Sequence, residues 1–209
     1  MTNGVLNEVT PEGGWNGPAK PRLQPLELNE ISMPKRILME VMVSVGTANC
    51  TNLYRTMFRN FRLYFPFARL NAKMMPGGEL TRRQTEIAVL RVGWKTRSRY
   101  EWGQHVDIGL RIGLTASDIL RISQGPDAAG WDECEGAIVR AVDELLDSNV
   151  ISDATWQVLG RYFNARLMIE LILLIGSYTA LAGALNSVGV ELEDEVAEIM
   201  ARTSIQGER

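Results

Sequence analysis

The 209 residues include 22 lysines and arginines against 25 aspartates and glutamates, a net charge of −3 with a pI near 5.4, and no basic run that would grip nucleic acid. One histidine and two distant cysteines, Cys50 and Cys134, exclude a histidine-rich or clustered-thiolate metal site. A hydrophobic share of 45% suffices for a sizeable core.

Residues 1–31 read as an extended N-terminal arm, because Pro11, Gly13, Gly14, Gly17, Pro18, Pro21 and Pro25 deny it regular structure. Trp15, Leu23, Leu26 and Leu28 give the arm apolar points with which to lie along a surface, its own or a neighbour's. Its polar start does not resemble a signal peptide, and a reducing cytoplasm is the expected compartment. Residues 32–209 read as a single all-helical domain.

Pro34 sits at a first-turn position for a helix carrying Ile37, Leu38, Val41, Met42 and Val45 at helical spacing. A second helix is expected after Thr51. A third follows Pro66 and stops at Pro76–Gly77–Gly78. Thr81–Arg82–Arg83–Gln84 is a capping box opening a helix to about Thr96. Ser98–Arg99–Tyr100–Glu101 reads as a second box, opening a helix to Gly113. The join between them is short, so the two helices should lie antiparallel. Thr115 opens residues 116–123, Gly125–Pro126 breaks the chain, and Trp131 to Ser148 reads as a helix. Ser152 opens residues 153–162, and Asn164 opens a long helix to about Leu185. Residues 191–203 form a last, mostly polar helix. The apolar run from Leu167 to Leu185 holds Glu170, Gly176, Ser177, Tyr178 and Gly183, which suits a buried helix rather than a membrane span. Strand signals are almost absent, so the expected class is all-α, a helical bundle.

The chemistry concentrates in Ser98–Arg99–Tyr100–Glu101–Trp102–Gly103–Gln104–His105. Glu101 and His105 are four apart and share a helix face. Glu101 can return a hydrogen bond to the Ser98 amide as a cap, and a lone histidine can be a satisfied core group. As a pair they offer more, since a carboxylate one turn from an imidazole can orient it and fix its tautomer. Near a helix N-terminus that carboxylate is expected to stay ionised. Glu86 lies on a stripe with Val89, Leu90 and Gly93, where a carboxyl is either exposed or in a pocket. Arg91, Arg97 and Arg99 are solvated by default, although one of them can pair with an anionic substrate. Trp94 and Trp102 are core aromatics by default, and Tyr100 can donate from its hydroxyl. Neither cysteine is expected at the pocket floor. The glycine pairs make no phosphate fingerprint after a strand, so no flavin, nicotinamide, haem or metal is expected.

The order Leu80–Thr81–Arg82–Arg83–Gln84–Thr85–Glu86, then Tyr100–Glu101–Trp102–Gly103–Gln104–His105, then Gly113–Leu114–Thr115 resembles the carboxymuconolactone decarboxylase family, which includes the alkylhydroperoxidase D-like proteins. Later residues Glu170–Leu171, Ile175–Gly176, Tyr178 and Asn186 resemble that family's closing helix. The resemblance implies an all-helical bundle assembled as a trimer or hexamer, with a dimer as the smaller alternative, and sites near subunit contacts. It also implies a departure. Peroxidase members carry a Cys-x-x-Cys pair before the histidine, and those two places are Ser98 and Glu101 here. Thiol redox chemistry needs two thiols in contact, so a peroxidase of that type is not expected.

The resulting expectation is a cofactor-independent lyase or isomerase, decarboxylase-like, acting on a small, anionic lactone, enol or oxidised ring. His105 moves the proton, Glu101 orients it, Glu86 is a second acid–base group or anchor, and Tyr100 donates to an enolate oxygen. Trp102, Arg91, Ser98 and Tyr178 are the candidate substrate contacts. The alternative is a non-catalytic helical oligomer that binds a small molecule or a partner protein.

Overall fold

The computed structural model describes residues 9–46 and 49–202. Among them are ten α-helices and no strand. These are α1 (Met33–Gly46), α2 (Thr51–Met57), α3 (Phe61–Met74), α4 (Arg82–Lys95), α5 (Arg99–Arg111), α6 (Ala116–Gln124), α7 (Glu133–Ser148), α8 (Asp153–Leu159), α9 (Ala165–Val188) and α10 (Asp194–Arg202).

Several starts are fixed by side-chain caps. Thr81 Oγ1 accepts from the Gln84 amide at 3.2 Å while Gln84 Oε1 accepts from the Thr81 amide at 3.0 Å. Thr115 and Asp118 form the same reciprocal box at α6. Asp132, Ser152 and Asn164 cap α7, α8 and α9. One start differs from the sequence reading. α3 begins at Phe61, so Pro66 lies inside the helix rather than before it. A proline there removes one helical hydrogen bond. The packing of Phe58, Phe61, Tyr64 and Phe67 against one another offsets that loss.

α4 is the central helix. Every residue from Thr85 to Gly93 is buried, which requires neighbours on all sides. α5, α7 and α9 supply most of them. The ion pairs Arg83–Glu135, Arg91–Asp143 and Lys95–Asp147 each span 52 residues, so α4 and α7 run parallel and in register. α5 runs the other way. Glu86 meets His105, whereas a Cβ on Gly93 would lie 3.0 Å from the Trp102 amide nitrogen. Glycine at 93 is what lets the two helix backbones approach at that point.

α9 is long and apolar enough to cross a membrane by length and composition. In the bundle it buries Met168, Leu171, Leu174, Ile175, Tyr178, Ala182 and Leu185. Its one acid, Glu170, accepts from the amides of Glu79 and Leu80 at 2.9 and 3.0 Å, which secures the loop entering α4. The arm lies on its own chain over the described residues. Trp15 stacks edge-on to Trp94 at 5.8 Å, the Asn16 amide donates to Arg97 O at 2.8 Å, and the Arg22 amide donates to Val188 O at 2.8 Å. Residues 1–8 of the arm and Thr203 of the expected last helix lie outside the described residues.

Candidate active site

The turn between α4 and α5 determines what the α5 side chains can reach. Arg97 adopts a left-handed backbone, φ 52°. That conformation closes α4 with a Schellman pair: the Arg97 amide donates to Trp94 O at 3.0 Å and the Ser98 amide to Gly93 O at 2.8 Å. The Ser98 amide is thereby occupied, so Glu101 has no cap to return to. Ser98 itself makes no side-chain cap, and its Oγ has no partner. The second capping box expected from the sequence does not form.

Freed from the cap, Glu101 turns inward. It is 2% exposed, and neither carboxyl oxygen has a hydrogen-bond partner. Burial alone holds its pKa well above the ordinary value, so this carboxyl keeps its proton. The expectation of an ionised Glu101 is corrected by the depth at which the helix N-terminus is buried.

Glu86 takes the orienting role that the sequence reading gave to Glu101. Its Oε2 lies 2.7 Å from His105 Nδ1 in a buried contact between α4 and α5. Arg82, one turn earlier on α4, brings Nη2 to 3.2 Å from Glu86 Oε1, an ion pair without hydrogen-bond geometry. With Glu86 accepting at Nδ1, His105 carries its proton there and leaves Nε2 as the lone-pair nitrogen. The ring stands edge-on to Tyr178, centroids 5.3 Å apart and planes at 80°.

His105 faces a cavity of about 300 Å³ lined from α1, α2, α3, α4, α5 and α9, with Glu86 behind the ring and outside the lining. His105, Glu101, Tyr100 and Tyr178 line it, as expected, and so do Arg82, Gln104, Cys50, Tyr54 and Tyr64, which sequence reasoning missed as site residues. Arg82 carried a usable signal, since it stands four residues before Glu86. Gln104 stands next to His105 on α5, whereas Cys50, Tyr54 and Tyr64 carried no signal, because distant segments deliver them.

A polar cluster stiffens the far wall. Gln104 Nε2 donates to Glu193 Oε2 at 2.6 Å and to Asn49 O at 2.9 Å. The Tyr100 hydroxyl donates to Glu193 Oε1 at 3.1 Å, and the Asn52 amide donates to the same oxygen at 2.7 Å. Tyr100 is therefore committed to Glu193 rather than free to meet an enolate oxygen.

Three candidate contacts fall outside the cavity. Arg91 is buried and holds Asp143 through Nε and Nη2, both at 2.6 Å, and the carbonyls of Ile122 and Ser123 through Nη1. Trp102 packs against Trp94 at 4.9 Å and Trp15 at 6.3 Å. Ser98 is sealed beneath the turn. A further correction concerns Cys50, which does line the cavity and donates from Sγ to Gln104 Oε1 at 3.5 Å. Burial, aided by the nearby Glu193, pushes its thiol up to about 12. Cys134 lies elsewhere, beside Gln84 Nε2 at 4.0 Å, with its thiol pushed up to about 11 by burial. Among the described residues no group of three or more histidines, cysteines and acids is placed to hold a metal ion.

No protein-family model matches the chain, and no curated protein does. Solved structures do match. The debrominase Bmp8, as a cysteine-to-alanine variant in complex with 2,3,4-tribromopyrrole, is 12% identical with a TM-score of 0.73, covering 88% of this chain and 98% of its own. An uncharacterized peroxidase-related protein from Ralstonia eutropha with an alkylhydroperoxidase core is 17% identical with a TM-score of 0.72, covering 87% and 96%. A peroxidase-related protein from Silicibacter is 16% identical with a TM-score of 0.71, covering 86% and 97%. At these identities it is the fold that is shared: this chain has the all-helical alkylhydroperoxidase D-like fold.

Proposed function

We propose that this protein is a cofactor-independent acid–base enzyme of lyase or isomerase type acting on a small ring, enol or lactone. The observation that carries the reading is the 2.7 Å contact of Glu86 with His105 Nδ1, directly behind the His105 ring that lines the cavity. His105 Nε2 takes a proton from substrate, and Glu86 fixes the tautomer and stabilises the imidazolium that results. Glu101, still protonated, returns a proton to another atom. Two carboxyls in different surroundings, Glu86 bound to the imidazole and Glu101 buried without a partner, are an arrangement that lets a single fold run acid and base steps together.

Thiol chemistry is disfavoured on the same grounds. The two cysteines are free and apart, and Cys50 keeps its proton. Free cysteines also suit a reducing cytoplasm. The chain is proposed to work as a homo-oligomer, trimer or hexamer. Support comes from apolar side chains left exposed on α1, α3 and α9, among them Ile37, Leu63, Ile169 and Leu173. Light scattering that returns a 23.3 kDa particle at micromolar concentration removes the oligomer.

The catalytic reading is tested by deuterium exchange. Unsaturated γ-lactones, cyclic 1,3-diketones and hydroxylated aromatics are incubated in D2O with wild type or His105→Ala and followed by proton NMR. Wild-type exchange beside the carbonyl or hydroxyl carbon, lost in the variant, is the expected result. Equal behaviour of the two proteins across the panel overturns the proposal.

A further inference from the structure

We propose that the cavity selects an uncharged ring bearing one weakly acidic proton, a phenol- or azole-like compound, and rejects the carboxylate of the same shape. This rests on the acid–base reading above and names its substrate class. The first ground is charge. Arg82 is the one cation of Lys or Arg type among the lining residues, and its guanidinium stands over Glu86 at 3.2 Å. Glu86 is shared with His105 at 2.7 Å, so the Arg82–Glu86–His105 unit is neutral with the imidazole uncharged. Behind the opposite wall Glu193 faces inward through Tyr100 and Gln104. The cation that an anionic substrate would need is therefore already matched, and Arg91, the other candidate, is held by Asp143.

The second ground is solvation. The lining is mostly apolar and aromatic, with Tyr54, Tyr64 and Phe67 on the cavity and Tyr178 edge-on to the His105 ring. Every acid of that lining with a displaced pKa, namely Cys50, Tyr54, Tyr64, Tyr100, Glu101 and Tyr178, is displaced toward its neutral form, with burial as the first cause. The same wall that keeps those groups neutral penalises a ligand that arrives as an anion.

The third ground is what happens after binding. Transfer of the ring proton to His105 Nε2 creates a ring anion and an imidazolium side by side, and the total charge of the cavity does not change. A ligand that enters already ionised adds a net negative charge before any step begins. A cavity of about 300 Å³ has room for one substituted ring.

The test uses wild-type protein at pH 7 and two probes built on one para-bromo ring, 4-bromophenol (uncharged) and 4-bromobenzoate (anionic), with uncharged 4-bromobenzamide as the size control for the benzoate. Because the chain has one histidine, the ring signals of His105 report cavity occupancy without ambiguity. The expected result is saturable movement of those signals by the phenol, with a Kd at least about tenfold below that of the benzoate. Benzoate binding as tightly as the phenol, or a phenol that leaves the His105 signals unmoved at millimolar concentration, overturns the substrate class. The two proposals fail separately. Phenol binding without any His105-dependent deuterium exchange preserves the ligand class and removes catalysis. His105-dependent exchange on an anionic lactone, with the phenol excluded, does the reverse.

Discussion

Glu101→Gln tests the carboxyl that lines the cavity. Glu101 is 2% exposed and unpartnered, and burial holds its pKa well above the ordinary 4.5. Between 4.5 and the raised folded value, the folded chain keeps a proton that the unfolded chain has released. The stability tied to this group is therefore intact below that ordinary value and falls as pH rises through the window. One proton corresponds to about 1.4 kcal/mol per pH unit. Glutamine does not titrate, so the stability difference should tilt toward the variant by about 1.4 kcal/mol for each pH unit crossed in that window. The buried amide adds an offset of about 1–3 kcal/mol, but it is the same at every pH and leaves the slope untouched. Glu193, whose pKa burial also raises, is present in both proteins and cancels. Urea unfolding at pH 5, 6 and 7 measures the slope. Parallel stability profiles for the two proteins would mean that Glu101 is ionised in the folded chain, and its assignment as the proton donor would be wrong. In the same variant, turnover should fall about 10²–10⁴-fold through loss of the proton donor.

His105→Ala should lower turnover by about 10²–10⁴-fold, whereas the Cys50→Ala/Cys134→Ala double variant stays within a few-fold of wild type; an inactive but folded double variant, beside a His105→Ala protein of normal turnover, reverses the assignment. Asp118 is pushed up by burial but held well below its ordinary value by hydrogen bonds from Arg83 and Thr115. Its stabilisation is present above the ordinary 3.8 and lost as pH falls through the lower folded value. Asp118→Asn should therefore cost about 1–2 kcal/mol at neutral pH, discounted for the half-exposed Arg83, with the gap closing in acid unfolding below that pH. A Cβ on Gly103 would lie 2.5 Å from Met200 Sδ and 2.9 Å from both Leu192 methyls, so Gly103→Ala should displace α10 and cost about 1–3 kcal/mol by thermal unfolding. An unchanged melting temperature would show that α10 is not seated there.

The bundle was readable where local chemistry decides. Thr81, Thr115, Ser152 and Asn164 announce helix starts, and their side chains make the bonds that their positions imply. The Glu86–His105 pair was readable too, because a carboxyl on an apolar stripe beside a short antiparallel join has few places to go. Ser98 misled for a backbone reason. Nothing at Arg97 advertises a left-handed turn, yet that turn takes the amide that a capping Glu101 would need. The far wall was illegible for a different reason. Cys50, Gln104, Asn52 and Glu193 are joined by bonds spanning 54, 89 and 141 residues, and no local pattern encodes such pairings. Arg91 went the same way, since its partner Asp143 is 52 residues distant.

Helix position alone would have predicted the opposite chemistry. Glu101 stands in the first turn of α5, where the helix dipole favours a negative charge by about 0.3–1 kcal/mol. Cys50 stands at the N-cap of α2, where the same effect would favour a thiolate. Both keep their protons, because removing an unpaired ion from water costs several kcal/mol, more than a helix terminus returns. Glu86 differs from both in having partners, with Arg82 and His105 on its two oxygens. A carboxyl in the first turn of α5 is thus not made an anion by its helix position. It is a buried, unpartnered acid lining the same cavity as the Glu86-bound imidazole, which is the arrangement on which the proposed proton transfer rests.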